Sequence, residues 1–288
     1  MIKIKNIIFI LTMVGNFICF SQDDLLAELE SEAEYTSYEL PAFKTMTIVN
    51  LQSTKIAAKK EFYFFVSHRF GSVKDGFETL FGLDNANTKI QFVYSFFEGV
   101  QFSLSRESWR QTYSGSVKYN IVKQSSEFGL NLVGFHIANI NAEINEDLFP
   151  ELETSDRWSF AHQLLISRRF SEKFSFQLAP TYIRENLQDL RAVAEANYNQ
   201  FALGGGGRFK LSKRISINAD YVYNFSRDGN NIYNNPLSIG VDIETGGHVF
   251  QILFSNAQST NEPGFISNAG GDWSEGDIFF GFNIVRVF

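Results

Sequence analysis

The sequence predicts an all-β fold, a transmembrane up-and-down antiparallel β-barrel of about twelve strands. Three observations carry that prediction. From Glu61 onward the chain reads as segments of about ten residues that alternate apolar and polar side chains. Short and long connections take turns between those segments. The last residue is the aromatic Phe288, preceded at alternate positions by Phe280, Phe282 and Ile284. Successive strand side chains point to opposite faces, so each segment has one lipid-type face and one polar face. Such segments, joined by short turns at one end and longer loops at the other, are the pattern of outer-membrane barrels.

The elements follow in order. Residues 1–21 read as a signal peptide: Lys3 and Lys5 give a basic start, Ile7 to Phe20 is an apolar stretch, and Ser21 supplies a small residue for cleavage. The stretch is short for a retained membrane helix, and Asp23 and Asp24 follow it directly. Cys19, the only cysteine, leaves with the signal. Phe17 and Ile18 stand where a lipoprotein signal has small residues, so lipidation is the minor alternative. Loss of Lys3 and Lys5 takes the formal net charge from −7 to −9, which argues against a nucleic-acid partner.

Residues 22–42 form an acidic periplasmic leader with Asp23, Asp24, Glu28, Glu30, Glu32, Glu34 and Glu39 and no basic residue. It reads as a solvated segment, with a plug or a docking helix for a periplasmic partner as the sharper alternative. The barrel domain is assigned to 43–288, and its β-prone start, Phe43 to Leu51, either adds a strand or runs inside the barrel. Strands are expected at 61–70, 87–96, 100–108, 112–123, 127–140, 156–169, 173–185, 199–210, 214–226, 236–244, 248–257 and 276–288. Val100, Phe102 and Leu104 alternate with Gln101, Ser103 and Ser105. Ile215, Ile217, Tyr221 and Tyr223 alternate with Ser216, Asn218, Asp220 and Asn224. The apolar side is too bulky and aromatic to pack inside a barrel of this size, so it faces lipid. Tight turns near Gly99, Gln124, Ser171, Ser212 and Gly246 belong to the periplasmic end. The longer connections 71–86, 141–155, 186–198, 227–235 and 258–275 belong outside. An even strand number returns both termini to the periplasm, with ten or fourteen as the alternatives to twelve.

The run Gly204 to Gly207 is not a phosphate loop, because Arg208, Phe209 and Lys210 continue a strand where a helix would be needed. Glycine in a strand marks a bend or a close approach; facing inward, Gly204 and Gly206 leave room for an inner segment or a solute. His68, His136, His162 and His248 have no second histidine at i, i+2, so no metal site is expected. No reachable Ser–His pair supports catalysis, and no enzymatic activity or cofactor is expected. The acidic run from Glu143 to Asp156 lacks calcium-loop spacing and reads as a solvated outer loop. The inner face is expected to carry Lys89, Lys118 and Arg208 with Glu107, Asp220, Asp242 and Glu244. Mixed signs suit a narrow pore or a lumen closed by its own ion pairs, whereas a strongly selective pore shows one sign at its constriction.

Several stretches resemble one family. These are Ser67-His68-Arg69-Phe70-Gly71, Phe81-Gly82-Leu83-Asp84, Ala161-His162-Gln163-Leu164-Leu165 and Ile243 to Gln251, with Gly271-Asp272-Trp273, Gly276-Asp277-Ile278 and Gly281-Phe282-Asn283 near the end. They are similar to DUF5777 barrels of Bacteroidetes over about Phe43 to Phe288. The resemblance implies a barrel in a Gram-negative outer membrane and transfers no site residue. The leading functional expectation is a narrow channel or carrier for small solutes or lipophilic molecules. The alternative is a non-conducting scaffold that docks a partner through the leader or the outer loops. The expected partners are outer-membrane lipid and the assembly machinery, which would read the strand ending at Phe288. Arg286 stands where that signal prefers an aromatic.

Overall fold

The computed structural model describes residues 41–144, 147–188, 197–227 and 231–288. The expected signal peptide 1–21 and all but the last two residues of the leader 22–42 lie outside the described residues, as does Glu146 of the acidic loop.

Twelve strands form the barrel: β1 (Phe62–Ser72), β2 (Ala86–Phe97), β3 (Val100–Glu107), β4 (Tyr113–Val122), β5 (Asn131–Ile140), β6 (Trp158–Arg169), β7 (Phe174–Glu185), β8 (Asn199–Lys210), β9 (Ile215–Asn224), β10 (Leu237–Thr245), β11 (His248–Ser255) and β12 (Phe279–Val287). Each pairs antiparallel with its neighbours in sequence, and β1 pairs with β12 from Tyr63↔Val287 to Ser72↔Phe279 to close the wall. Closure removes every sheet edge, as a strand structure in lipid requires. The outward residues are Phe, Leu, Ile and Tyr: Phe92, Phe102, Leu104, Ile217, Tyr221, Ile239 and Phe254 are all exposed. Outward aromatics stack along neighbouring strands, as Phe70 does on Phe280 at 5.6 Å.

The largest departure from the expected bounds is β5, which starts at Asn131 and not at 127. Ser125 to Phe128 is a turn: Ser125 N–H donates to Phe128 O at 2.9 Å, and Ser125 Oγ accepts from the N–H groups of Glu127 and Phe128.

Among the described residues, two inserts enter the lumen. Residues 42–57 run inside the barrel as a hairpin-like turn, with the lone bridge Thr47↔Gln52 and the bonds Ile48 N–H to Leu51 O and Ser53 N–H to Met46 O. Of the two readings of Phe43 to Leu51, the inner run is the one the fold adopts. The connection between β11 and β12 folds inward from the opposite end and carries the short helix α1 (Glu262–Ser267), every residue of which is buried. Asn261 caps it by accepting from Gly264 N–H at 2.9 Å.

The apolar core lies where these inserts meet the inner face of β5–β9. Phe43, Ile48, Val49 and Leu51 of the hairpin and Phe265 and Ile266 of α1 pack with Val133, Phe135, Leu165, Ala179, Ile183 and Val222. The expected polar inner face is therefore corrected in part: in this sector apolar residues such as Val133, Phe135, Leu165 and Ile183 also turn inward, covered by the inserts, beside inward polar residues such as Gln163, Gln177 and Asp220.

Candidate functional site

The inner residues matter through what they hold. At the tip of the hairpin three successive backbone N–H groups, of Val49, Asn50 and Leu51, converge on Asp220 Oδ2 at 2.8, 2.8 and 3.0 Å. Consecutive amides turned to one side form an anion-binding concavity, and a buried carboxylate from β9 fills it. Asn50 then locks the tip to the wall. Its Nδ2 donates to Ser238 Oγ and Ser255 Oγ, both at 3.0 Å, and its Oδ1 accepts from Arg69 at 2.6 Å. Arg69 is itself buried and donates to Asn283 Oδ1 on β12.

The sides of the hairpin are fastened the same way. Lys118 Nζ donates to the carbonyls of Met46 and Ser53, both at 3.0 Å, so one ammonium clamps both arms. Gln251 donates to Ile48 O at 2.7 Å, Gln177 donates to Gln52 O at 2.6 Å, and Gln101 accepts from Ala57 N–H. These side chains satisfy backbone groups that the isolated turn leaves unpaired, which is why the polar inner face is needed.

Glu107 performs the same task for the second insert. Its Oε1 accepts from Thr260 N–H at 2.7 Å, from Thr260 Oγ1 and from Asn87, and its Oε2 accepts from Asn261 at 2.7 Å. Lys89 donates to Thr260 O at 3.3 Å. The two inserts touch where Gln52 Nε2 donates to Glu262 Oε1 at 2.7 Å. Burial pushes the Glu262 carboxyl above the usual glutamate range, and the nearby Lys89 ammonium and the Gln52 bond only partly oppose it.

Arg208, Asp242 and Glu244 form a third group toward the short-turn end. Arg208 pairs with Glu244 at 3.0 Å, Lys44 reaches the same carboxylate at 3.2 Å, and Gln251 donates to Asp242 at 2.6 Å. All seven charged residues singled out as lumen-lining therefore point inward. They do not border a free passage: Glu107, Lys89, Lys118 and Asp220 bond the inserts, Arg208 pairs with Glu244, and Asp242 accepts from Gln251.

The glycines take the place expected for an inner segment. A Cβ on Gly204 would lie 3.0 Å from both terminal carbons of Leu51, and one on Gly206 would lie 2.7 Å from Ile48 Cδ1. Arg69, Asn50, Gln177 and Gln251 were not singled out from sequence. An arginine in the middle of a strand, Arg69, was the one signal that could have found this set.

Among the described residues no group of three or more His, Cys, Asp and Glu is placed to hold a metal ion. One pair of histidines does come together on the outer face. His136 on β5 and His162 on β6 are directly opposite in register, with their Nδ1 atoms 2.7 Å apart. Spacing along one strand cannot reveal a pair made across two.

Solved outer-membrane barrels are similar to this chain at low identity. The NanC porin is 10% identical with a TM-score of 0.50 over 78% of this chain and 98% of its own. The KdgM porin is 8% identical with a TM-score of 0.48 over 79% and 99%. The COG4313 outer membrane channel from Pseudomonas putida F1 is 13% identical with a TM-score of 0.44 over 81% and 97%. No curated protein matches the chain. The family model described as a membrane-bound beta barrel domain matches residues 43–288, which spans the lumen hairpin and all twelve strands, and the chain belongs to that family, DUF5777.

Proposed function

We propose that this chain is an outer-membrane carrier for small or lipophilic solutes, opened by displacement of the hairpin 42–57. The observation that carries this reading is the fastening of the hairpin: its tip and both arms are held by side chains that bond backbone groups, with Asp220 at the centre. The neutral bonds exchange for water at a net cost of about 1 kcal/mol each, and those to Asp220 and Lys118 at about 1.5–3 kcal/mol each. A hairpin held by such bonds can leave a polar wall that water then re-solvates.

The hairpin follows directly on the acidic segment 22–42, so a periplasmic partner that grips that segment would pull on the hairpin. An exported protein in a Gram-negative outer membrane, inserted by the assembly machinery through the strand ending at Phe288, is the setting this mechanism requires. The rival reading, a non-conducting scaffold, is favoured by one observation: two separate inserts occupy the lumen and are bonded to each other through Gln52 and Glu262.

Single-channel recording in planar bilayers separates the two. The carrier reading expects a quiet full-length barrel and discrete conductance steps from Asp220→Ala. A folded Asp220→Ala barrel that stays silent would leave the scaffold as the reading.

A further inference from the structure

The wall itself is interrupted at mid-height. Pro180 is the seventh residue of β7, and it has no N–H to give to a neighbour. Pairing of β6 with β7 stops after Gln163↔Thr181 and resumes at Ile166↔Leu178. On either side the ladders are continuous: β5–β6 runs from Asn131↔Ser167 to Ile140↔Trp158, and β7–β8 passes through Pro180↔Leu203 without a break. A pocket of about 440 Å³ opens there. It is bordered by the outward residues Leu164, Pro180, Tyr182 and Phe201, and the buried neighbours Gln163 and Thr181 form part of its floor. That volume suits a small ligand.

Polar chemistry rims this pocket on a largely apolar outer face. His136 and His162 are bonded through their Nδ1 atoms, and Tyr119 Oη lies 3.2 Å from His136 Nε2. Polar groups at this depth on the lipid side are costly and mark function. The chain Tyr119–His136–His162 leaves one atom over, His162 Nε2, which has no partner among the described residues. In neutral imidazoles one nitrogen donates and the other accepts. If His136 Nδ1 donates, His162 Nε2 carries a proton; if His136 Nδ1 accepts, His162 Nε2 offers a lone pair. A concerted change of tautomer thus lets the same atom meet an acceptor or a donor. On the inner side of the seam Gln163 donates to Thr181 Oγ1 at 3.1 Å, while its Oε1 is buried with no partner. A buried orphan acceptor costs about 1–3 kcal/mol and points to a missing donor.

We propose that the β6–β7 seam at Pro180 is a lateral binding site for a membrane-dissolved molecule with an apolar body and a single hydroxyl or carboxyl end. The apolar body lies among Leu164, Pro180 and Phe201, and the polar end bonds His162 Nε2 or passes inward to Gln163 Oε1. Behind the seam Leu165, Ala179, Ile183 and the hairpin residue Leu51 lie beside the inward pair Gln163 and Thr181. The site deepens the carrier reading by giving its cargo class. Its test does not depend on that reading, because conductance reports the hairpin and occupancy reports the seam.

Photolabelling of the full chain in liposomes with a diazirine-bearing dodecanol tests it, with a diazirine-bearing dodecane as the control probe. The alcohol is expected to label 160–166 and 178–182 above the other lipid-facing strands, with unlabelled dodecanol competing and the alkane showing no preference. His162→Phe keeps the outer face apolar and is expected to lower the preference about fivefold, the worth of one hydrogen bond. Pro180→Val restores the missing donor and is expected to abolish it. Labelling spread evenly over the wall, or a preference unchanged in both variants, would overturn the proposal.

Discussion

Replacement of Asp220 by alanine removes the acceptor shared by Val49, Asn50 and Leu51 N–H and tests how the lumen is held. Hydrogen bonds to a charged group contribute about 1.5–3 kcal/mol each. The three here share one oxygen, so they do not add in full. A loss of about 3 kcal/mol is the reasonable sum, and at 1.4 kcal/mol per decade it raises the released population about 100-fold. Amide hydrogen exchange reads this directly. In the refolded barrel the amides of 48–52 should lose about 100-fold protection, while those of β6–β8 keep theirs. Asp220→Asn retains one acceptor oxygen and should fall between. Unchanged protection at 48–52 in Asp220→Ala, with the barrel intact, would show that apolar packing of Ile48 and Leu51 holds the hairpin and that the carboxylate is incidental.

Further outcomes follow from the same geometry. Gly206→Ala places a methyl 2.7 Å from Ile48 Cδ1 and 3.2 Å from Ala219 O, and should destabilise by about 1–3 kcal/mol in thermal melts; Ile48→Val in the same chain should recover part of that. Lys118→Met keeps the length of the side chain and loses the bonds to Met46 O and Ser53 O, so trypsin should reach Lys55 and Lys44 faster than in the unaltered barrel. The Glu262 carboxyl has its pKa raised by folding, so its contribution to stability is full below the unfolded value and declines as pH rises through the folded one. The advantage of the parent over Glu262→Gln should therefore shrink from acid to neutral pH, and parallel pH profiles of the melting temperature would contradict it. The ion pair of half-exposed Lys44 with Glu244 should matter little: Lys44→Ala is expected to shift stability by less than about 1 kcal/mol.

The wall was legible because lipid imposes a two-residue period on every strand. The ends of β8 coincide with the expected 199–210, and most of the others agree within about two residues. The glycines at 204 and 206 were legible as a place of close approach, although which segment approaches was left open. The grip on the hairpin was not legible, since Asp220 meets Val49 across 171 residues and no local pattern records that. The length of the 258–275 connection was visible, but not its inward course, because α1 has six residues and its apolar pair Phe265 and Ile266 is too short to show a period. The sector β5–β9 misled the expectation of a polar lumen. Val133, Phe135 and Ile137 are interleaved with Leu132, Gly134, His136 and Ala138, and a strand apolar on both faces looks the same whether its inner side meets protein or water.

The hairpin also constrains the order in which the molecule can be made. It lies a few residues before β1, yet it bonds Arg69 on β1 through Asn50, Asp220 on β9, Ser238 on β10, Ser255 on β11 and, through Val49 O, Asn283 on β12. The strands that must meet last, β1 and β12, are thus tied to one and the same turn. Joining chain ends this far apart is the entropically costly step in closing a barrel. A turn that holds both partners in register works as an internal template for that step. Hairpin variants should accordingly slow ring closure and leave open-seamed sheets during refolding, a kinetic effect separate from any passage of solute.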